Sequence, residues 1–450
     1  MEIIEKINTL LWGPILIPLL IGTGIFYTIR LNFVQRLTGQ AYKRVFKNIM
    51  RPSQKADAKG MSSFQALSTA IAAQVGTGNL AGVATALAAG GPGAIFWMWV
   101  SAFFGMATNF AEAVLGQLYK TEVDGQITGG PAYYIRHGIK SKFLAVFFAL
   151  AIIVALGFMG NIVQSNSIVE AANNVTQIPS IYIGIFVAII VGAILIGGIS
   201  SIASFTERVV PLMALLYVIG SFGVIIFNFD NFFSALRSIF IGAFSPQALG
   251  GGLLGVTIMN VIRYGVARGL FSNEAGMGST PHAHAVAKVS HPGEQGLVAL
   301  FGVTFDTMII CTLTALVILT SGAMDSGASG VELTQIGFET SFGHLGTLFI
   351  AIAIFFFALT TIVGWYYFGE SNIRYLFGAK AIPLYKFLVL GCIIIGSKLN
   401  VDMVWELADL FNGFMIFPNL IALLILSPKV VDALKDYEKY RHLPKQSVEK

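Results

Sequence analysis

Charge is what this 450-residue sequence has least of. Asp, Glu, Lys and Arg together make up 11% of it, whereas a soluble domain carries about 25%. A chain of this length with so little charge cannot cover a water-facing surface. Cysteine is scarcer still. Cys311 and Cys392 stand far apart in apolar stretches, which excludes a disulfide framework and a cysteine metal site and reads as two small buried residues. There is no HExxH, no GxSxG, no clustered His/Asp constellation and no Walker A string, which argues against a membrane enzyme and against an ATP-driven pump. The N-terminus has no basic leader before its apolar run and no small-residue cleavage motif after it, so a cleavable signal peptide is not expected.

What the sequence has instead is apolar bulk. Hydrophobic residues reach 55% and the mean hydropathy is +0.76. They gather in continuous runs such as FLAVFFALAIIVALGF (143–158). A bilayer core takes about 20 helical residues to cross, and a β-barrel would show short alternating segments instead. The reading is an all-α polytopic membrane protein with eleven transmembrane helices. They are expected at 9–29, 63–90, 92–118, 143–168, 180–199, 207–228, 248–285, 296–321, 343–369, 382–398 and 404–427. The first is a leading span; the others are numbered 1 to 10.

Basic residues orient these spans. With sides alternating along the chain, 23 of the 28 Lys and Arg fall on one side, including Arg30, Arg36, Lys43, Arg44, Lys47, Arg51, Lys55 and Lys59. Only Lys6, Arg237 and Lys398 fall on the other, and Arg263 and Arg268 lie within span 6. Positive loops stay cytoplasmic. The protein is therefore expected in the plasma membrane with its N-terminus outside and its C-terminus inside. The net charge of +5 belongs to these loops and does not argue for nucleic acid. The expected organisation is a leading span with a basic cytoplasmic segment (1–62), a first five-helix repeat (63–228), an external connection (229–247), a second repeat (248–427) and a cytoplasmic tail (428–450).

Two spans are poor membrane helices. Span 1 holds Gln74-Val75-Gly76-Thr77-Gly78-Asn79 at its middle, and span 6 runs through Gly269-Leu270-Phe271-Ser272-Asn273-Glu274-Ala275-Gly276-Met277-Gly278. Gly costs about 1 kcal/mol in a helix relative to Ala, and an ionised group at mid-bilayer at least about 2.5 kcal/mol. Irregular backbone at that depth persists only within protein or beside a water-filled cavity. Glycines that merely let two helices approach account equally well for span 1 alone. They do not account for Ser272, Asn273 and Glu274 in a row. Each break opens a set of five spans, and five is odd, so the second set is inverted relative to the first. Broken helices at matching places of inverted halves point to a transporter's binding site rather than an open pore. Freed N–H groups suit a carboxylate and freed C=O groups a cation, so the site can take a zwitterion.

The strings QVGTGNLAGVATA (74–86), GGPGAIFWMW (90–99), GGPAYYI (129–135), ARGLFSNEAGMGSTPHAHA (267–285) and TTIVGWYYFGE (360–370) resemble the alanine or glycine:cation symporter family, also called sodium:alanine symporters, over essentially the whole chain. The resemblance implies a fold similar to the leucine-transporter group: a 5+5 inverted repeat with discontinuous helices 1 and 6, plus one leading helix. It implies Na+-driven uptake of alanine or glycine across the bilayer, with no cofactor beyond the coupling ion. Gly76, Thr77, Gly78 and Asn79 would meet the carboxylate or a cation, and carbonyls near Gly269, Phe271 and Ser272, beside Asn273, would meet the ammonium. Gln164 is a polar residue in apolar span 3, expected either to face the substrate or to bond another helix. Sodium would lie between spans 1 and 8, on the carbonyls of Ala72, Val75 and Phe357 and the hydroxyls of Thr360 and Thr361. Without the resemblance those hydroxyls read as back-bonding to their own helix. Trp365, one turn beyond Thr361, is expected to wall the substrate pocket or else to anchor at the interface.

Glu112, Arg263, Arg268 and Asp306 also lie within spans, where charges usually pair or face a pathway. Glu274 or Asp306 is expected to neutralise one of the span 6 arginines. His282 and His284 read as cytoplasmic-end loop or cap residues, since two histidines make a poor metal site. Segment 34–60 reads either as an amphipathic helix on the inner leaflet or as a solvated loop. A proton-coupled permease of the same fold, with Asp306 or Glu274 as the protonated group, is the alternative function.

Overall fold

The computed structural model describes residues 2–50, 60–245, 257–399 and 401–440. Among these, eight helices are long and apolar enough to cross a membrane, and one bent pair makes a ninth. The architecture is a leucine-transporter-like 5+5 inverted repeat. In chain order the elements are α1 (Ile3–Arg30), α2 (Thr38–Met50), β1 (Met61–Ser62), α3 (Ser63–Gln74), α4 (Gly78–Gly90), α5 (Gly93–Leu118), β2 (Thr121–Val123), β3 (Gln126–Thr128), α6 (Lys142–Asn173) and α7 (Ser180–Ile196). They continue with α8 (Gly198–Phe227), α9 (Phe232–Phe244), α10 (Ile258–Asn273), α11 (Pro281–Ala285), β4 (Ala287–Lys288), α12 (Pro292–Thr320), α13 (Gly330–Phe342), α14 (His344–Phe377), α15 (Ile382–Gly396) and α16 (Val401–Tyr440). Large apolar side chains stay uncovered on the outer faces, for example Ile189, Ile196, Leu212 and Phe387, as a lipid-facing surface requires.

Both expected breaks are present. α3 and α4 meet at a bend of 49°, and α10 and α11 are separated by residues 274–280. A short parallel pairing shows the inversion directly. β1, which leads into α3, lies beside β4, which follows α11, with Met61 opposite Ala287 and Ser62 opposite Lys288. One broken helix therefore begins where the other ends. α3 starts from a capping box: Gln65 N donates to Ser62 Oγ (3.1 Å) and Ser62 N to Gln65 Oε1 (3.2 Å), which satisfies two otherwise orphaned donors.

The span boundaries differ in instructive places. The fifth span begins at Gly198, not 207, because a turn at Gly197–Gly198, with Gly198 at φ +62°, is enough to reverse the chain. Helices α9 and α13 and the β2–β3 hairpin have no counterpart among the expected elements; each is too short to register as a span. The tail expected from 428 is helical to Tyr440, and His291 at the start of α12 bonds Asp436 at 3.0 Å. Residues 248–256 of span 6, Arg51, Lys55 and Lys59 of the basic segment, and 441–450 of the tail lie outside the described residues.

In the described part of the basic segment, Thr38–Met50 form helix α2, and α2 is docked. Arg44 pairs with the buried Glu294 of α12, and Asn48 Nδ2 reaches Ser63 Oγ at 3.2 Å. Ser63 Oγ also accepts from Gln295 Nε2 at 2.8 Å. Removing the arginine strands a carboxylate that is only 6% exposed. The cost lies between the ~0–1 kcal/mol of a surface pair and the ~3–5 kcal/mol of a buried one. Arg44→Ala should lower the melting midpoint of the purified protein, and adding Glu294→Gln should restore part of the loss.

Candidate functional site

The first break is fixed by its own side chains. Val75 leaves the helix at φ −83°, ψ 85°. Gly76 N then donates to Asn79 Oδ1 (2.9 Å), so a residue of α4 holds the frayed end of α3. The α-carbon of Gly76 abuts α14 so closely that a Cβ there would collide with Thr361 Oγ1. That hydroxyl lies 2.9 Å from Ala72 O of α3 and 2.9 Å from Phe357 O of its own helix. Thr360 Oγ1 also reaches Phe357 O at 2.9 Å, but on its other side it meets Met213 Sδ of α8 at 3.6 Å. Back-bonding thus describes Thr360, whereas Thr361 spans two helices. The oxygens of Ala72, Phe357, Thr360 and Thr361 gather where α3 frays, and Val75 supplies the bend beside them.

The second break is held from outside. α10 ends at Asn273, and Glu274 takes the left-handed conformation at φ +56°, followed by Gly276 at +86° and Gly278 at +83°. Such angles suit glycine and strain other residues. The N–H groups of Gly276 and Gly278 both donate to the carboxylate of Glu112 in α5, at 2.9 Å each. Asn419 Nδ2 of α16 donates to the same carboxylate at 2.7 Å and to Gly276 O at 2.9 Å. Glu274 turns its own carboxylate inward, where it accepts from Trp365 Nε1 and Ser279 Oγ at 2.5 Å each.

The two breaks touch. Gln74 Nε2 donates to Asn273 O at 2.7 Å. A Cβ on Gly78 would stand 3.3 Å from the Phe271 ring and 3.4 Å from the backbone of Ser272. Asp306 of α12 closes the junction, accepting from Asn79 Nδ2 (2.6 Å), Ser272 Oγ (2.9 Å) and Thr307 Oγ1 (2.7 Å).

Aromatic rings line the region beyond. Phe271 meets Trp365 edge-on at 6.4 Å between centroids and Trp405 at 5.4 Å. Trp365 rests on α6 at Gly160, where a Cβ would come within 2.6 Å of its ring. Gln164, one turn further along α6, keeps a buried Oε1 without a hydrogen-bond partner among the described residues, as does Thr77 Oγ1. Away from the basic end, a cavity of about 600 Å³ reaches this level, lined by Ala81, Gly82, Ser167, Arg268, Trp405 and Glu406. A second of about 350 Å³ reaches Phe271.

The expected residues therefore split. Gly76, Thr77, Gly78, Asn79, Phe271, Ser272, Asn273 and Trp365 belong to one junction, with Gln164 one turn from Trp365's packing point. Gly269 lies elsewhere: it sits within α10, where its Cβ would meet Ser101 Oγ and Met98 of α5, a close helix crossing. The expected pairing of Glu274 or Asp306 with an arginine is not made. Arg268 stacks over Trp405 (5.5 Å to the centroid) and approaches Asp409 at 3.9 Å, at the cavity rather than at the breaks. His282 and His284 are fully buried rather than capping a loop. His282 lies between the rings of Phe148 and Phe368, bonded to Ser279 O (2.7 Å) and Asn372 (2.8 Å). Sequence reasoning missed Glu112 and Asn419 as the braces of the second break. A lone mid-span carboxylate was a signal for the first; nothing marked the second.

A profile described as the sodium:alanine symporter family matches residues 1–450. The chain is 42% identical over 450 residues to the sodium/alanine symporter AgcS of Methanococcus maripaludis, covering 98% of each protein. It is 41% identical over 457 residues to the probable sodium/glutamine symporter GlnT of Bacillus subtilis, covering 99% of this chain and 93% of that one. Among solved structures it is similar to MhsT in complex with L-phenylalanine, at 14% identity and a TM-score of 0.52, over 84% of this chain and 99% of that one. It is also similar to the manganese transporter of Eremococcus coleocola, at 13% identity and a TM-score of 0.56, over 83% and 78%.

Proposed function

Since the chain belongs to the sodium:alanine symporter family, we propose that it is specialised for alanine or glycine, taken into the cell together with Na+ by alternating access. It is a multi-pass membrane protein and a sodium-coupled secondary transporter of small neutral amino acids, not an enzyme. The observation that carries the preference for alanine or glycine is the junction of the two breaks. A small zwitterion has matching partners there. Unspent polar atoms of Thr77 and Gln164 are buried beside it, and Phe271 and Trp365 limit its size.

In this reading the amino acid lies between Gly76–Asn79 and Phe271–Asn273, with Trp365 as the wall. Na+ lies on the carbonyls of Ala72, Val75 and Phe357 and the hydroxyls of Thr360 and Thr361, oxygen ligands as a hard cation requires. Eleven spans account for the chain once the shorter helix α7 (Ser180–Ile196) and the helix broken after Asn273 are counted with the nine. The distribution of Lys and Arg puts the N-terminus outside and the basic end in the cytoplasm. Relatives include a probable glutamine symporter, so preference within the family turns on pocket size.

Labelled alanine uptake into proteoliposomes tests the reading. An inward Na+ gradient should raise initial uptake at least about tenfold over a K+ gradient, a difference of about 1.4 kcal/mol in the barrier to uptake. Uptake that follows a proton gradient and ignores Na+ would favour the proton-coupled alternative.

A further inference from the structure

Helix α2 has three sides, and the protein covers one of them. Ala41, Val45 and Asn48 are buried there, Arg44 pairs with Glu294 of α12, and Tyr42 meets the Phe301 ring edge-on at 4.9 Å. On the far side Lys43 and Lys47 are both exposed. Four residues apart, they share a helix face and repel each other. Among the described residues no acid pairs with either. The third side is apolar: Phe46 and Ile49 are 61% and 47% exposed. Phe33, in the elbow that joins α1 to α2, is uncovered too.

One kind of molecule answers both exposed sides. A soluble anion would neutralise the lysines and leave the apolar side chains in water. A neutral acyl chain would cover the apolar side and leave the lysines unpaired. A phosphate joined to hydrocarbon does both. Lysine stems lie along apolar surface and carry the ammonium up to the headgroup. An amphipathic helix of this composition favours the interface of an anionic leaflet.

The covered side of α2 holds the ends of both broken helices. Asn48 Nδ2 donates to Ser63 Oγ at the start of α3 (3.2 Å). Gln295 Nε2 of α12 donates to the same hydroxyl (2.8 Å), and His284 Nδ1 of α11 donates to Gln295 Oε1 (2.9 Å). β1 and β4 pair at this same place. The cavities that approach the breaks lie at the other end of the molecule, so the structure is closed where α2 sits. Alternating access requires α3 and α11 to part there.

We propose that Lys43 and Lys47 bind the phosphate of an anionic phospholipid whose acyl chains cover Phe46 and Ile49, and that the bound lipid steadies α2 in its docked place. This rests on the transport reading. Because docked α2 bonds α3 and, through Gln295, α11, the lipid favours the state closed at the basic end and accessible from the other. A ligand shifts such an equilibrium only by binding one state better, and the linkage is reciprocal. Anionic lipid therefore tightens the hold on alanine arriving from the open end.

Labelled alanine uptake by the full-length protein tests this, in vesicles of phosphatidylcholine alone or with phosphatidylglycerol added. Phosphatidylglycerol should lower the half-saturating alanine concentration of wild type about fivefold, an ordinary coupling between two sites. Lys43→Gln with Lys47→Gln should abolish the response, and native mass spectrometry should show fewer retained phosphatidylglycerol molecules. Both side chains are exposed, so the fold is kept. Lys43→Arg with Lys47→Arg should keep the response. Lys142→Gln with Arg208→Gln removes two exposed charges from α6 and α8 and should also keep it. Asn48→Ala should retain the lipid and lose the response. Three results overturn the proposal: a wild type indifferent to phosphatidylglycerol, a Lys43→Gln, Lys47→Gln protein that responds as wild type does, or a Lys142→Gln, Arg208→Gln protein that responds no better than that one. So does inorganic phosphate reproducing the effect in phosphatidylcholine vesicles. No alanine uptake in either lipid would instead overturn the transport reading.

Discussion

Alanine at position 76 is expected to raise the Na+ concentration needed for half-maximal uptake by about ten- to a hundredfold, with alanine uptake at low Na+ lost. The α-carbon of Gly76 lies against α14, where an added methyl would collide with Thr361 Oγ1, and the Cβ and Cγ2 atoms of that residue follow at 3.3 and 3.4 Å. A rotating hydroxyl could escape in open space. This one is held between Ala72 O and Phe357 O at 2.9 Å each, and its helix packs on α3 through Gly364, whose own Cβ would stand 3.2 Å from Ala73. Neither helix has room to retreat. Overpacking of this kind costs about 1–3 kcal/mol, and each 1.4 kcal/mol is about tenfold in affinity. The cost falls on the loaded geometry, because the displaced atom is a proposed ligand.

Gly82→Ala is the control. It lies in the same broken helix and a Cβ there meets nothing within 4 Å, but it faces the cavity, so it controls only for crowding against α14: the Na+ concentration for half-maximal uptake should stay unchanged. Thr361→Ala should reproduce the Na+ defect of Gly76→Ala without the crowding, and Thr361→Ser should recover most of it, since only the hydroxyl is required. An unchanged Na+ response in Thr361→Ala would remove the ion from this place. These are measurements of initial uptake against external Na+ at fixed alanine.

The break that this prediction probes was legible because it is written locally. Gln74 to Asn79 combine glycine with polar side chains at mid-span, and the structure frays at Val75 and Gly76. The second break was legible only in its neighbourhood. Glycine content at 269, 276 and 278 spread the expectation over the whole string, but α10 stays regular through Asn273, and the chain opens at Glu274 because Glu112 competes for the N–H groups of Gly276 and Gly278. That competitor lies more than 160 residues away in sequence. Gly269 misled for a related reason: a glycine that permits a close crossing over Met98 and Ser101 looks, in sequence, like one that permits a bend. The pairing expected for the arginines failed because proximity in sequence to Glu274 does not place Arg268 near it. Fewer than two turns of helix separate Arg268 from the end of α10 at Asn273, but its guanidinium turns to Asp409 of α16.

Substitutions around Trp365 should move substrate size in opposite directions. The indole is fixed at both ends: its ring lies on Gly160 of α6 and its Nε1 donates to Glu274 at 2.5 Å. Gly160→Ala puts a methyl within 2.6 Å of Cε3 and Cζ3. The ring cannot simply slide back, because its nitrogen is tethered, so it must tilt into the space facing Phe271. Alanine transport should then fall by about tenfold or more relative to glycine, since one methylene is worth about 1–3 kcal/mol in a closed apolar pocket. Trp365→Phe does the reverse. It removes one ring and leaves Glu274 with Ser279 as its remaining side-chain donor. Larger neutral amino acids should gain relative to alanine by about the same factor. Total transport should also drop, because withdrawing a donor from a buried carboxylate costs about 1–3 kcal/mol, and that carboxylate shapes the second break. Adding Glu274→Gln to Trp365→Phe removes the unsupported charge and should restore part of the rate without restoring the size preference. Competition of unlabelled glycine, alanine, leucine and glutamine against labelled alanine reads all three variants. If Gly160→Ala and Trp365→Phe left the order of competitors unchanged, Trp365 would be an anchor rather than the wall of the pocket, and the size limit would have to come from Phe271.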